Sequence, residues 1–167
     1  MSTTSKSRLT NLATAFALRL SDRVTDISDT LMPRHETGRA IAYIGRTKGG
    51  TVRSLSQHIG LSHAAAVRLV DRLSHDRLVR RQGSDTDRRA VALTLTDNGM
   101  AVYHAMLALT SDVIERALLP LSDLEKDALA SAMAKVLANL ETTPVEAAQG
   151  CRFCDVAGCD NCPVRVS

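Results

Sequence analysis

Between Leu9 and Leu31 the apolar residues fall at Leu9, Leu12, Phe16, Leu20, Val24, Ile27 and Leu31. Steps of three and four place them on one stripe of a long helix, which Pro33 stops. A shorter helical segment follows with Ala40, Ile41 and Ile44 to bury, and Lys48-Gly49-Gly50 ends it. Val52, Leu55 and Ile59 then predict a short helix closed by Gly60, and Ser62 is a natural N-cap for the next one. That helix turns Ala66, Leu69, Val70 and Leu73 inward and leaves Arg68 and Arg72 one turn apart on another face.

Leu78-Val-Arg-Arg81 reads as a strand, Gln82 to Asp87 is dense in turn formers, and Val91 to Leu95 is a short return strand. Thr96-Asp-Asn-Gly99 opens a long helix with Val102, Met106, Leu109, Val113 and Ala117 in register, and Pro120 breaks it. Ser122 and Glu125 have the spacing of a capping box, before a last helix carrying Leu129, Met133, Val136, Leu137 and Leu140. Residues 141–150 read as a linker. The predicted fold class is mainly α with a small β-hairpin wing: helix, turn, helix and hairpin, flanked by long helices.

The 167 residues are 44% hydrophobic and 23% charged, which is ordinary globular composition. No apolar run reaches the roughly 18 residues of a membrane span. The N-terminal segment has no signal-peptide core, so the chain is expected to be cytoplasmic, without a membrane partner. The aromatic residues are Phe16, Tyr43, Tyr103 and Phe153 alone, which argues against a stacking reader of single-stranded nucleic acid. No nucleophile–base constellation or phosphate-binding glycine loop supports an enzyme.

Net charge is only +3, but residues 51–90 hold eight arginines against four aspartates, a local +4. Cationic charge gathered on one segment suits duplex DNA, where phosphate neutralisation dominates affinity. A solvated basic face is the blander alternative, and the strand–turn–strand that follows the helix does not fit it. In such a motif the second helix enters the major groove N-terminus first, which nominates Ser62, His63, Ala64, Ala65 and Arg68 for base edges. Arg72, further along, suits phosphate, which positions without specifying.

The runs Leu69-Val-Asp-Arg-Leu73, Leu78-Val-Arg-Arg81, Asp85-Thr-Asp-Arg-Arg-Ala90 and Leu95-Thr-Asp-Asn-Gly99 resemble the MarR family of bacterial transcriptional regulators over about residues 8 to 140. The resemblance implies a homodimer with interleaved terminal helices, bound to a pseudo-palindromic double-stranded DNA operator, usually as a repressor. The chain then divides into N-terminal dimerisation helices (1–48), a winged helix-turn-helix DNA-binding lobe (49–97), C-terminal dimerisation helices (98–141) and a linker with a Cys-rich tail (142–167). Asp87 and Arg89 match the family's wing, where the aspartate orients an arginine into the minor groove, and Arg88 would meet phosphate nearby. The family usually has glycine where this chain has Arg77, which puts the exit from the recognition helix in question. Family members often release DNA on binding a small phenolic or lipophilic effector. His35, Tyr43 and His104 could line such a cleft, but lone residues of these types are more often structural, and none is nominated.

All four cysteines lie within twelve residues: Cys151, Cys154, Cys159 and Cys162, spelling C-x2-C-x4-C-x2-C-P. Four clustered thiolates suit tetrahedral zinc or an iron–sulfur cluster. The compact spacing and the Cys162-Pro163 ending favour the cluster by a narrow margin, while zinc has the base rate for paired C-x2-C turns. Reversibly oxidised thiols are the third reading. A cluster would let DNA binding respond to redox state, oxygen or iron. A zinc tail would be structural and leave a small molecule as the effector. A nonspecific architectural DNA binder and a thiol-redox protein are the remoter alternatives.

Overall fold

The computed structural model describes residues 3–32, 34–47, 50–83, 91–140, 143–154 and 164. Its elements run α1 (Thr3–Leu31), α2 (His35–Arg46), α3 (Val52–Ile59), α4 (His63–His75), β1 (Val79–Gly83), β2 (Val91–Leu95), α5 (Asp97–Leu118), α6 (Asp123–Leu140) and α7 (Pro144–Gly150). The fold is mainly helical with a two-stranded antiparallel hairpin among the described residues, as the hydrophobic pattern predicts. The core lies where α2, α3, α4, the hairpin and α5 meet, around Ile41, Leu55, Leu69, Leu73, Leu93 and Met106, all almost fully buried. Tyr103, which the spacing did not single out, is buried too. Its ring lies so close to Gly45 that an added Cβ there would meet it at 2.9 Å.

Local chemistry sets the boundaries around α3 and α4. Thr51 and Ser54 form a reciprocal capping box at the start of α3, with Thr51 N–H donating to Ser54 Oγ at 2.8 Å. Gly60, at φ 72°, closes that helix in the left-handed region. Ser62 Oγ accepts from the Ala65 N–H at 3.3 Å and starts α4. Across the hairpin Val79 faces Leu95 and Gly83 faces Val91. The Leu93 N–H donates to the Gly50 carbonyl at 2.7 Å, which pins the approach to α3 onto the wing.

Arg77 takes the glycine conformation without being glycine. Its φ is 57°, and around it Arg77 N–H bonds to Ser74 O at 3.1 Å while Leu78 N–H bonds to Leu73 O at 2.9 Å. These two bonds are a Schellman motif, so α4 ends as it would with glycine and the exit angle is preserved. Thr96 reinforces the turn, donating its hydroxyl to Arg77 O at 2.6 Å and its N–H to Leu78 O at 3.0 Å. A left-handed L-residue costs roughly 1–2 kcal/mol, partly offset by the greater unfolded-state freedom of glycine. Arg77→Gly is therefore expected to stabilise the fold by about 0.5–1 kcal/mol, a Tm rise of roughly 1–4 °C by differential scanning calorimetry. A lower Tm would show that the Arg77 side chain contributes more than its backbone costs.

The terminal helices show what one chain leaves uncovered, and one expectation, the linker, meets a different structure. The apolar rows of α1 and α6 are exposed in the single chain: Leu9, Leu12 and Phe16 on one, Leu124, Val136, Leu137 and Leu140 on the other, and α6 buries no residue at all. Leu109, one of the residues in register along α5, is exposed as well. Residues 141–150, read as a linker, contain α7. Thr143 N-caps it by accepting the Glu146 N–H at 3.2 Å, and Pro144 occupies the first turn, where its missing N–H costs nothing.

Candidate DNA-binding face and cysteine tail

Of the residues nominated for base edges, Ser62, His63 and Ala64 are exposed at the start of α4 and Ala65 is half-buried. Arg68 is exposed one turn on and forms no ion pair among the described residues. Arg72 is tied to Glu36 of α2 at 3.5 Å, and Arg81 of β1 to Asp71 of α4 at 2.8 Å. Arg53, Gln57 and His63 line a shallow depression between α3 and α4. Arg53 was counted in the basic segment but not nominated, because nothing in a sequence shows that α3 brings it beside the α4 N-terminus. Asp87, Arg88 and Arg89 lie outside the described residues.

In the tail, Cys151 is half-buried and Cys154 exposed, while Cys159 and Cys162 lie outside the described residues. The Cys154 N–H bonds to Cys151 O at 3.0 Å, so this first C-x2-C pair sits on a closed turn. Such a turn suits a chelating thiolate pair, and the donor set fits either zinc or an iron–sulfur cluster. Among the described residues no group of three or more candidate ligands converges.

The tail also returns to the helix-turn-helix. Gln149 Nε2 donates to the His58 carbonyl at the end of α3, Ala147 and Val164 are buried, and Phe153 packs against the core. Arg152 stacks over the Phe153 ring at 5.3 Å and donates to Gln149 O at 2.8 Å. Burial lowers the His58 pKa, and Arg39, Arg46 and Arg152 lower it further. Burial and then Arg39 pull the Arg152 guanidinium down, against the opposing influence of Cys154.

The family model described as the MarR family matches residues 32–90. This segment resembles the MarR family and folds as a helix-turn-helix followed by a two-stranded hairpin. Among solved structures, the chain is similar to the YusO protein from Bacillus subtilis, 21% identical at a TM-score of 0.71, over 84% of this chain and 100% of that one. It is similar to MepR, a transcription regulator of the Staphylococcus aureus multidrug efflux pump MepA, at 16% identity and a TM-score of 0.66, over 79% of this chain and 98% of that one. A MepR mutant from S. aureus bound to an oligodeoxyribonucleotide matches at 17% identity and a TM-score of 0.61, over 80% of this chain and 98% of that one. No curated protein matches the chain in sequence. The MarR family model ends at residue 90, so the cysteine segment lies beyond it. No helix among the described residues is long and apolar enough to cross a membrane.

Proposed function

We propose that this MarR-type chain is a homodimeric, sequence-specific repressor that reads duplex DNA through α4 and the wing, tuned by a metal centre at Cys151, Cys154, Cys159 and Cys162. The observation that carries DNA reading is the start of α4: Ser62, His63, Ala64 and Arg68 stand exposed together, with Arg68 unpaired among the described residues. Arg72, Arg53 and the wing residues Arg88 and Arg89 add phosphate and minor-groove contacts, with Asp87 orienting Arg89. A similar fold takes up an oligodeoxyribonucleotide in the MepR mutant. The exposed apolar rows of α1 and α6 favour a second copy of the chain as their cover.

Coupling of the tail to DNA rests on where α7 docks. Through Gln149 and His58 it touches α3, the first helix of the helix-turn-helix, so a change at the cysteines reaches the reading head directly. An iron–sulfur cluster, when bound, supplies a group that redox chemistry can alter. The four cysteine thiolates would hold it, and the Cys151–Cys154 turn and α7 would link it to α3. A complete swing between DNA-bound and released populations needs about 5.5 kcal/mol of differential stabilisation.

A second reading keeps the regulator and gives the tail a structural zinc. It is favoured by a cleft of about 530 Å³ between α1, α5 and the tail, with Leu20, Val24, Leu107, Ile114 and Phe153 on its walls. That volume suits a small lipophilic effector.

The test is anaerobic purification with iron, sulfide and zinc analysis, followed by DNA binding at one fixed salt concentration. The expected protein contains iron and sulfide and prefers a palindromic site to bulk DNA by about 10³-fold or more. Its operator affinity changes at least tenfold (about 1.4 kcal/mol) on cluster oxidation, and not when all four cysteines are serine. One zinc per chain would move the signal to the cleft, and equal affinity for any sequence would leave an architectural binder.

A further inference from the structure

Where α2, α3 and the tail meet, the chain gathers two arginines and a histidine around one small cavity. Arg46 closes the last turn of α2, His58 lies in the last turn of α3, and Arg152 comes from the tail turn between Cys151 and Cys154. Together with Ala42, Tyr43 and Thr47 they line a cavity of about 60 Å³. The Tyr43 and His58 rings pack at 4.6 Å on its wall. Arg46 Nη1 and Arg152 Nε are both shut off from solvent and meet no acceptor. Arg39 adds a further charge close enough to act on both His58 and Arg152. The ion pairs Arg72–Glu36, Arg81–Asp71, Arg116–Asp112 and Lys126–Asp123 involve none of these groups.

Buried guanidinium donors call for acceptors, and the guanidiniums of Arg46 and Arg152 on one cavity repel unless an anion sits between them, with the His58 imidazole as a further polar group on the wall. The planar guanidinium fork is suited to oxyanions such as carboxylate and phosphate. The cavity is far smaller than a drug-sized pocket of roughly 300–1,000 Å³. It has room for about two water-sized volumes of roughly 30 Å³ each, the scale of one charged head group.

We propose that the junction of α2, α3 and the tail is an anion site, in which Arg46, Arg152 and His58 hold the oxyanion head group, phosphate or carboxylate, of a small acidic ligand. The anion bridges α2 to the tail turn and so clamps α7 onto α3. The site depends on the docked tail and not on the DNA-binding reading, so either can fail alone.

The full chain, with its cysteine centre as purified, is titrated with inorganic phosphate and separately with sodium acetate, ionic strength being held constant with sodium chloride. Arginine Nε–H resonances and Tm are followed together. The expected result is a saturable shift of the Arg152 Nε–H and a concentration-dependent rise in Tm with at least one of the two anions. Phosphate alone would assign a tetrahedral head group and acetate alone a carboxylate. Response to both would assign a general oxyanion site. Arg46→Met, which leaves the cysteine segment untouched, is expected to raise the apparent Kd at least tenfold. The proposal is overturned if neither anion saturates, if chloride reproduces the shift, or if Arg46→Met binds as the wild type does. Should that variant not fold, the wild-type titration and the Arg152→Met variant decide on the same criterion.

Discussion

Arg68→Ala is expected to weaken binding of a palindromic duplex by roughly ten- to a hundredfold and to relax preference at the base pair it reads. Arg68 stands on the exposed face of α4, behind the Ser62 cap and clear of any ion pair among the described residues. A bidentate arginine–guanine contact discriminates by about 1–3 kcal/mol, and a dimer would lose two of them. Arg72→Ala provides the contrast. Its guanidinium is shared with Glu36 at 3.5 Å, so it would meet phosphate while partly neutralised. Its loss is expected to weaken all sequences evenly and lower the salt slope by about one. Fluorescence anisotropy on specific and scrambled duplexes, across a salt series, separates the two patterns. Unchanged affinity on losing Arg68 would remove α4 as the reading helix.

Gly99→Ala is expected to cost about 3 kcal/mol of stability, the upper end of an overpacked core, and to lower Tm by roughly 6–12 °C. Gly99 sits in the first turn of α5, its N–H donating to the Thr96 hydroxyl at 3.1 Å. A Cβ there would collide with the Leu78 carbonyl oxygen, a backbone atom that cannot rotate away. That carbonyl is itself held by the Thr96 N–H at 3.0 Å, so relief would disturb the α4 exit and the β2–α5 junction together. Gly83→Ala is the control: an added Cβ meets nothing within 4 Å, and the expected change stays within about 0.5 kcal/mol. Thermal unfolding of the two variants side by side checks this, and equal Tm values would show that the junction yields.

These two residues differ in how plainly they could be read. Arg68 was visible beforehand because helical periodicity separates the inward residues Ala66, Leu69, Val70 and Leu73 from the outward arginines. The demand on Gly99 was not visible. The Leu-Thr-Asp-Asn-Gly run marks a helix start, but only the folded chain brings the Leu78 carbonyl against it. The exit from α4 lies between the two. The missing glycine could be noticed at Arg77, yet only the Ser74, Leu73 and Thr96 hydrogen bonds decide that arginine adopts the left-handed turn.

The tail divides in the same way. Four cysteines in a C-x2-C-x4-C-x2-C pattern speak for metal chemistry from spacing alone. Thr143, Pro144 and Glu146 also carried a helix-start signal, and the polar, alanine-rich composition around them obscured it. That α7 docks on α3, and that Arg152 comes beside Arg46 and His58, leaves no periodic trace in a sequence. His58 and Gln149 are 91 positions apart, and contacts at such separation follow from packing and not from local pattern.

By itself, then, the sequence determined the order and type of the elements from α1 to α6, the inward face of α4, the basic segment and the presence of a four-thiol motif. Each of these follows from short-range rules: hydrophobic period, capping chemistry and ligand spacing. The tertiary structure alone decided which apolar faces stay uncovered in one chain, how Arg77 turns, which glycine touches a carbonyl, and where the tail comes to rest. Those outcomes depend on close packing between distant segments, where shape and the pairing of buried polar groups select one arrangement among many that share the same local pattern.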